Sequence, residues 1–299
     1  MDKVIVVTGA TACGKSAVAV KLAQLFNGEI ISGDSIQIYR GLDIGSAKIS
    51  EAEKQGIKHH LIDIKDYNET YSVYDFQKAG RVIISDLTEK GKLPIVCGGT
   101  GLFIKALIYD YQFKDSTTKR GTYDDLSNEE LYEMINSRDS EAAGKLHVNN
   151  RKRLMRTMDL LADLPGNKTE FLAQQSKQPI YDALLIGLTR TRQSLIERID
   201  QRVEAMFAAG LAQEVAGLVA NDAQVFSYQA FQAIGYKEFA AYYQGLASED
   251  EVKEKIKVHS RQFAKRQGTW FKNQLPLTWF DLDNGNGFSE LVQFIRNWK

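Results

Sequence analysis

Short apolar runs alternate with amphipathic stretches through the first hundred residues. VIVV (4–7), EIIS (29–32) and LPIVC (93–97) have the length and β-branched content of buried strands. Between them, AVAVKLAQLF (17–26) and SVYDFQKAGRVIISDLTEKG (72–91) carry apolar residues at helical spacing. Ser72 followed three residues on by Asp75 predicts a capping box opening the latter helix, and Gly91 predicts its end. This alternation predicts an α/β fold: an open parallel sheet flanked by helices, with ligand sites at the carboxyl ends of the strands.

From about residue 114 the pattern changes. The chain becomes polar and charge-rich with helical spacing, which predicts a mainly helical insertion over 114–189 and a core made of 1–113 and 190–299. YDALLIGLT (181–189) has the pattern of a returning strand. After it, TRQSLIERIDQRVEAMFAAGLAQEVAGLV (191–219) predicts one long amphipathic helix with Leu195, Ile199 and Met206 on a stripe, and the tail from Tyr228 reads as helical and aromatic-rich.

Composition narrows the class. With 299 residues, 43% hydrophobic and 25% charged, the chain can bury a substantial core. No apolar run is long enough to span a membrane, and MDKVIVVTG lacks a basic leader and a small-residue cleavage site, so a cytoplasmic protein without a membrane partner is expected. The two cysteines, Cys13 and Cys97, suggest neither a zinc cluster nor a disulfide scaffold. Net charge is zero, but basic residues concentrate in RKRLMR (151–156) and in residues 253–272, where Phe263, Trp270 and Phe271 are interleaved. Such clusters suit a phosphate backbone with stacked bases, although on charge alone a solvated helix face is the commoner reading.

GATACGKS (9–16) follows the first predicted strand and precedes a predicted helix, the context of a P-loop. Gly9, Ala10, Thr11, Ala12, Cys13 and Gly14 would form the cradle, Lys15 would add a full charge, and Ser16 could place its hydroxyl on Mg2+. The motif specifies a phosphate without naming its owner. LPIVC ends in Gly98, Gly99 and Thr100, not in the acid that a phosphoryl-transfer enzyme would use to hold metal. Asp34, after EIIS, is the acid nearest the expected site, as a metal ligand or as a general base. GGTG (98–101) offers a second close backbone approach with the Thr100 hydroxyl, and Arg198 and Arg202, four apart on a predicted helix, could face a diphosphate together. His59 and His60 are adjacent and read as structural. On these residues alone a kinase acting on a small metabolite and a non-catalytic RNA-binding module both remain open.

Taken in order, GATACGKS, GDSIQIYRGLDIGSAK, HHLIDI, YSVYDF, VCGGTGLFIKAL, QAIGYKE and RQFAKRQGTWF resemble the bacterial tRNA dimethylallyltransferase family, from about residue 4 to about residue 281. The resemblance implies a P-loop NTPase-like sheet with a helical insertion. It also implies transfer of a dimethylallyl group from dimethylallyl diphosphate to the exocyclic amine of the adenosine 3′ of the anticodon, with diphosphate leaving and Mg2+ as cofactor. Asp34 would then be the base, Thr100 would lie near the reacting centre, and Ser35, Ile36 and Gln37 would help hold the flipped adenine. Arg198 or Arg202 would bind diphosphate. Arg153 and Arg156 in NNRKRLMRTMD, with Lys265, Arg266 and Gln267 in RQFAKRQ, would contact the tRNA anticodon stem-loop, and no obligate protein partner is implied. A relative that prenylates free adenine nucleotides shares the core motifs, but the basic insertion and tail disfavour it. The chain departs from the family pattern at Ala10, usually Pro, at Cys13, usually Ser, and at Ser16, usually Thr. Further departures are Asn150, commonly Asp, and Thr157-Met158-Asp159, usually Ala-Leu-Glu.

Overall fold

The computed structural model describes residues 1–113, 122–164, 166–176 and 178–299. The first three apolar runs form strands β1 (Lys3–Gly9), β2 (Gly28–Ser32) and β4 (Leu93–Gly98), joined by β3 (His59–His60), β5 (Asp182–Thr189) and β6 (Thr278–Asp281). All pair in parallel, in the order β3-β2-β4-β1-β5-β6. The helices are α1 (Lys15–Phe26), α2 (Glu51–Lys54), α3 (Val73–Glu89), α4 (Gly101–Ile108), α5 (Asn128–Arg138), α6 (Ser140–Gly144), α7 (Arg151–Asp163), α8 (Lys168–Ala173), α9 (Arg192–Ala208), α10 (Leu211–Asn221), α11 (Phe239–Tyr243), α12 (Glu249–Gln274) and α13 (Gly287–Trp298).

Strands buried on both faces explain the unbroken apolar runs. Ile5, Val7, Ile30, Ile95 and Ile186 join Val18 and Leu22 of α1 and Leu291 and Ile295 of α13 in one core. The alternate positions Val4, Val6, Ile31 and Val96 are buried as completely. α3 packs on α4, with Phe76 and Phe103 stacked at 4.6 Å between ring centroids. The capping box at Ser72 and Asp75 is present, and Gly91 follows the helix in the left-handed region.

Three expectations need correction. The helix expected over 191–219 is two helices, bent by 56° at Ala209–Gly210, because Gly210 (φ 98) leaves the helical region and caps α10 instead. The tail is not all helical: Thr278–Asp281 forms β6, pairing with Ile186–Thr189 of β5. The insertion does not reach residue 189, since β5 lies between β1 and β6 in the sheet. The chain divides by contact into one unit of Met1–Ile108 with Pro179–Lys299 and another of Tyr109–Gln178. Residues 114–121, where the insertion was expected to open, lie outside the described residues.

The second unit is helical and has its own core. Leu131 and Ile135 of α5, Ala142 and Ala143 of α6, and Leu154, Met158 and Leu161 of α7 are buried together. Arg151 anchors the start of α7 by donating to the carbonyls of Leu126, Tyr123 and Asp124. Among the described residues no single helix is long and apolar enough to cross a membrane.

Candidate active site

Parallel strands bring the turns that follow β1, β2, β4, β5 and β6 to one edge of the sheet. After β1, Gly14 (φ 103) caps α1 without a side-chain hydrogen bond, so the first amides of the helix stay open to an anion. Lys15 folds over this turn and donates to the Ala10 carbonyl at 2.8 Å, and Ser16 is exposed.

The rest of the turn is braced from three sides. Arg190, after β5, donates to the Cys13 carbonyl (3.0 Å), and Arg198 of α9 donates to the Ala12 carbonyl (2.8 Å). Gln267 of α12 is buried and spans two loops. Its Oε1 accepts from the Thr11 amide (2.7 Å), while its Nε2 donates to the Gly99 carbonyl (2.9 Å).

Asp34 lies two residues past β2. Its Oδ1 accepts from the amides of Ile36 (2.8 Å) and Gln37 (3.3 Å), and Oδ2 takes no hydrogen bond from the described residues. From the β4 turn, Thr100 Oγ1 accepts from the Ser35 amide (3.2 Å) and lies 3.4 Å from the Ser35 hydroxyl. Arg202 of α9 reaches the Thr11 hydroxyl (3.3 Å) and the Ala47 carbonyl (3.5 Å). Burial pulls its guanidinium below the ordinary arginine range, while the Asp34 and Glu53 carboxylates oppose the change and Arg198 reinforces it. A guanidinium in such surroundings keeps its charge, so the site holds a poorly solvated cation suited to an anion.

These groups border a cavity of about 420 Å³. Thr11, Asp34, Ser35, Thr100 and Arg202 form its polar end, and Ile199, Val203, Met206, Ile256 and Phe263 form an apolar wall. Ile36, Arg266 and Gln267 also line it.

Several expected site residues are placed differently from the expectation, off the cavity or engaged with the protein itself. Gln37 does not line the cavity, since its Nε2 donates to the carbonyls of Ser46 (3.4 Å) and Ala47 (3.1 Å). The amide of Gln267, expected against tRNA, is committed to Thr11 and Gly99 as above. Arg198 and Arg202 share a face, but only Arg202 reaches the cavity. Lys265 is exposed and does not line it, whereas Arg266 stands 5.8 Å over the Phe263 ring. Much of the basic run on α12 is occupied by acids of α9: Lys257 pairs with Glu204 (2.6 Å) and Arg261 with Asp200. It is therefore partly a helix-helix seam.

In the helical unit, Arg153 and Arg156 of α7 are exposed. Lys168 nearby is held below the usual lysine range first by burial, with Arg153, Arg156 and Lys145 acting in the same sense and Asp139 against it. The cluster is electropositive.

Sequence reasoning passed over Arg190 and Asp283. Asp283, after β6, pairs with Arg190 (2.5 Å) and accepts from the amide and hydroxyl of Thr191, the residue capping α9. Partial burial pushes its carboxyl up, but the Thr191 amide, Arg190 and the hydroxyls of Thr191 and Ser194 outweigh it and leave the pKa at about 2. The only local sign in the sequence is a polar pair at each of two strand ends.

A phosphate-type turn after the first strand of a parallel sheet, with acid, hydroxyl and guanidinium converging beside it, defines a P-loop-type α/β protein. Within that class the chain belongs to the family described as IPP transferase, whose model matches residues 37–274. It is similar to a tRNA dimethylallyltransferase of Anoxybacillus flavithermus, 45% identical over 297 residues and covering 98% of this chain and 95% of that one. Among solved structures it is similar to a full-length tRNA isopentenylpyrophosphate transferase from Bacillus halodurans, with 36% identity, a TM-score of 0.77, and 100% and 97% of the two chains covered. A eukaryotic dimethylallyltransferase acting on tRNA matches with 28% identity, a TM-score of 0.87, and 99% and 80% covered.

Proposed function

We propose that the chain transfers a dimethylallyl group from dimethylallyl diphosphate to the exocyclic amine of the adenosine 3′ of the anticodon in tRNA. The observation that carries this reading is one cavity lined by Thr11 of the P-loop turn, a half-free carboxylate at Asp34, Arg202 and an apolar wall, with no acid after β4. The wall suits a five-carbon hydrocarbon, and the cradle with Arg202 suits its diphosphate.

In this reaction the adenine nitrogen bonds to the first carbon of the allyl group as that carbon's bond to diphosphate oxygen breaks. The nitrogen then gives up a proton. Asp34, which lines the cavity, is the acceptor: two amides pin Oδ1, which leaves Oδ2 without a hydrogen bond from the described residues. Thr100 fixes the Ser35 backbone, so the acid and the hydroxyl keep a constant separation. The open amides of α1, Lys15 and Arg202 take the charge of the leaving diphosphate, and Arg202 is the diphosphate-binding member of the arginine pair. Ile199, Val203 and Met206 keep water from an electron-poor allylic carbon.

The donor set fits Mg2+. Among the described residues no cluster of three His, Cys, Asp or Glu forms a protein cage, and the exposed Ser16 hydroxyl takes no hydrogen bond from them. One protein oxygen plus substrate phosphates is an ordinary magnesium arrangement. When bound there by Ser16, the ion would neutralise diphosphate charge. Arg153, Arg156 and Arg266 supply phosphate contacts to the polyanionic acceptor, whose target base must leave the loop stack at a cost of a few kcal/mol.

The test is incubation with unmodified tRNA, Mg2+ and labelled dimethylallyl diphosphate, with ATP in a parallel tube, followed by nucleoside analysis. Label on the adenosine next to the anticodon without ATP is expected. ADP in the second tube with no label on tRNA would favour a kinase instead.

A further inference from the structure

We infer that Glu214 is a positioning residue for the acceptor side of the site, a role that rests on the transfer reaction proposed above. Glu214 lies in the first turn of α10, and the bend at Gly210 turns it away from the line of α9, which carries Arg202. Its carboxylate accepts from three consecutive amides, those of Asp43 (3.0 Å), Ile44 (2.7 Å) and Gly45 (3.2 Å), and from the Tyr236 hydroxyl (2.8 Å). Three adjacent N–H groups converging on one carboxylate form an anion nest, here filled by a side chain from a distant part of the chain.

The contact leaves no slack. Tyr236 is fully buried, and a Cβ on Gly45 would sit 2.5 Å from its ring. Gly235 (φ +100) approaches so closely that its own Cβ would lie 2.7 Å from the Gly45 carbonyl. Burial first, then the Glu214 carboxylate, hold the Tyr236 phenol above its ordinary range, so it remains a donor.

The turn held in this way meets the site at its other end. Gly45 and Ser46 line the cavity. The Ser46 and Ala47 carbonyls take the Gln37 side chain, and Ala47 also meets Arg202. The Gln37 backbone amide in turn donates to Asp34 Oδ1. A hydrogen-bonded path therefore runs from Glu214 through residues 43–47 and Gln37 to the carboxylate that accepts the proton. The P-loop has separate braces in Arg190, Arg198 and Gln267. Loss of Glu214 should accordingly disturb the orientation of the acceptor and leave the diphosphate cradle in place.

Glu214→Gln keeps the shape but presents an NH2 to amide donors. At saturating substrates and a temperature where melts show the variant folded, single-turnover transfer should fall by roughly 10- to 100-fold, the scale of a misplacement near 1 Å. Affinity for dimethylallyl diphosphate should stay within about 3-fold, because the P-loop keeps its own braces. Gln37→Ala should cost much less in the Glu214→Gln background than in the wild type, because neighbours on one network are not additive. Tyr236→Phe, which deletes one donor only, should show the same coupling at smaller size, and it carries the test if Glu214→Gln does not fold. An unchanged rate per folded molecule, or additive losses with Gln37→Ala, would overturn the assignment while wild-type transfer stood. Absence of transfer by the wild type would remove the reaction itself and this role with it.

Discussion

Asp34→Asn separates the proton-accepting role proposed for the residue from its structural one. The asparagine Oδ1 can still accept from the amides of Ile36 and Gln37, so the turn after β2 is retained. Two charge-assisted hydrogen bonds become neutral ones, a loss of about 1–2 kcal/mol in stability. The second oxygen becomes an NH2 that cannot take a proton, and the rate of transfer should fall by roughly 100- to 10,000-fold, the range of a positioned base. Asp34 is also first among the acids that favour the charged form of Arg202. Removing its charge leaves that guanidinium short of counter-charge, so dimethylallyl diphosphate should bind as well or more tightly. Single-turnover transfer to an anticodon stem-loop gives the rate, and equilibrium binding of labelled diphosphate gives the affinity. A rate within about 5-fold of wild type would refute the base assignment, since no positioned base contributes so little. Lost diphosphate affinity with an unchanged bound-state rate would make Asp34 a binding residue instead.

Asp283 contributes a pH-dependent share of stability: its pKa falls from the ordinary carboxylate value of 3.8 to about 2 in the folded chain. The sign follows, since a depressed carboxylate stabilises above its unfolded pKa and loses that contribution as pH drops through the folded one. Asp283→Asn should thus cost about 2 kcal/mol at pH 7 in urea melts, with the difference from wild type shrinking between about pH 4 and pH 2. A constant difference across that window would refute the linkage. Gln267→Ala leaves the Thr11 amide and the Gly99 carbonyl unpaired, a cost of about 2–4 kcal/mol, and should raise KM for dimethylallyl diphosphate, measured by steady-state kinetics. Replacing Arg153 and Arg156 together should weaken tRNA binding and flatten its dependence on log salt by up to about 2 units, read from filter binding at several salt concentrations. An unaltered slope would remove these arginines from the interface.

The sheet and its site edge were visible in the sequence because strands buried on both faces leave unbroken apolar runs, and because the turns after β1 and β2 carry their chemistry in consecutive residues. The Ser72 and Asp75 box was visible for the same reason, being local. What escaped was non-local. Thr278–Asp281 is short, and its inclusion in the sheet depends on Ile186–Thr189 lying beside it, which no window around residue 278 contains. The break at Gly210 was masked by apolar spacing that stays in phase on both sides. Basic residues on α12 were visible as charge, but Glu204 and Asp200, which occupy Lys257 and Arg261, lie some fifty to sixty positions earlier in the chain. Gln37 and Gln267 were recognised as parts of the site, yet side-chain amides can hold a ligand or hold the loops around it, and only their partners decide which.

The missing acid after β4 has a steric reason. A Cβ at Gly98 would lie 2.2 Å from the Gly33 carbonyl, one at Gly99 2.4 Å from the Gln267 amide, and one at Gly101 2.2 Å from the Trp270 ring. Of the four residues in this turn only Thr100 has room for a side chain. A carboxylate there would line the same cavity as Asp34, and like charges sharing one site would disfavour ionisation of one of the acids. With a hydroxyl in place, Thr100 bonds the Ser35 amide and leaves Asp34 as the sole carboxylate at the polar end of the cavity among the described residues. That arrangement suits proton removal from a weakly nucleophilic amine, where an ionised acid is needed. It suits phosphoryl transfer poorly, since a second acid for metal has no place to stand. The close approach of the β2 and β4 turns, enforced by Gly33 and Gly98, therefore favours alkyl transfer on a phosphate-binding fold.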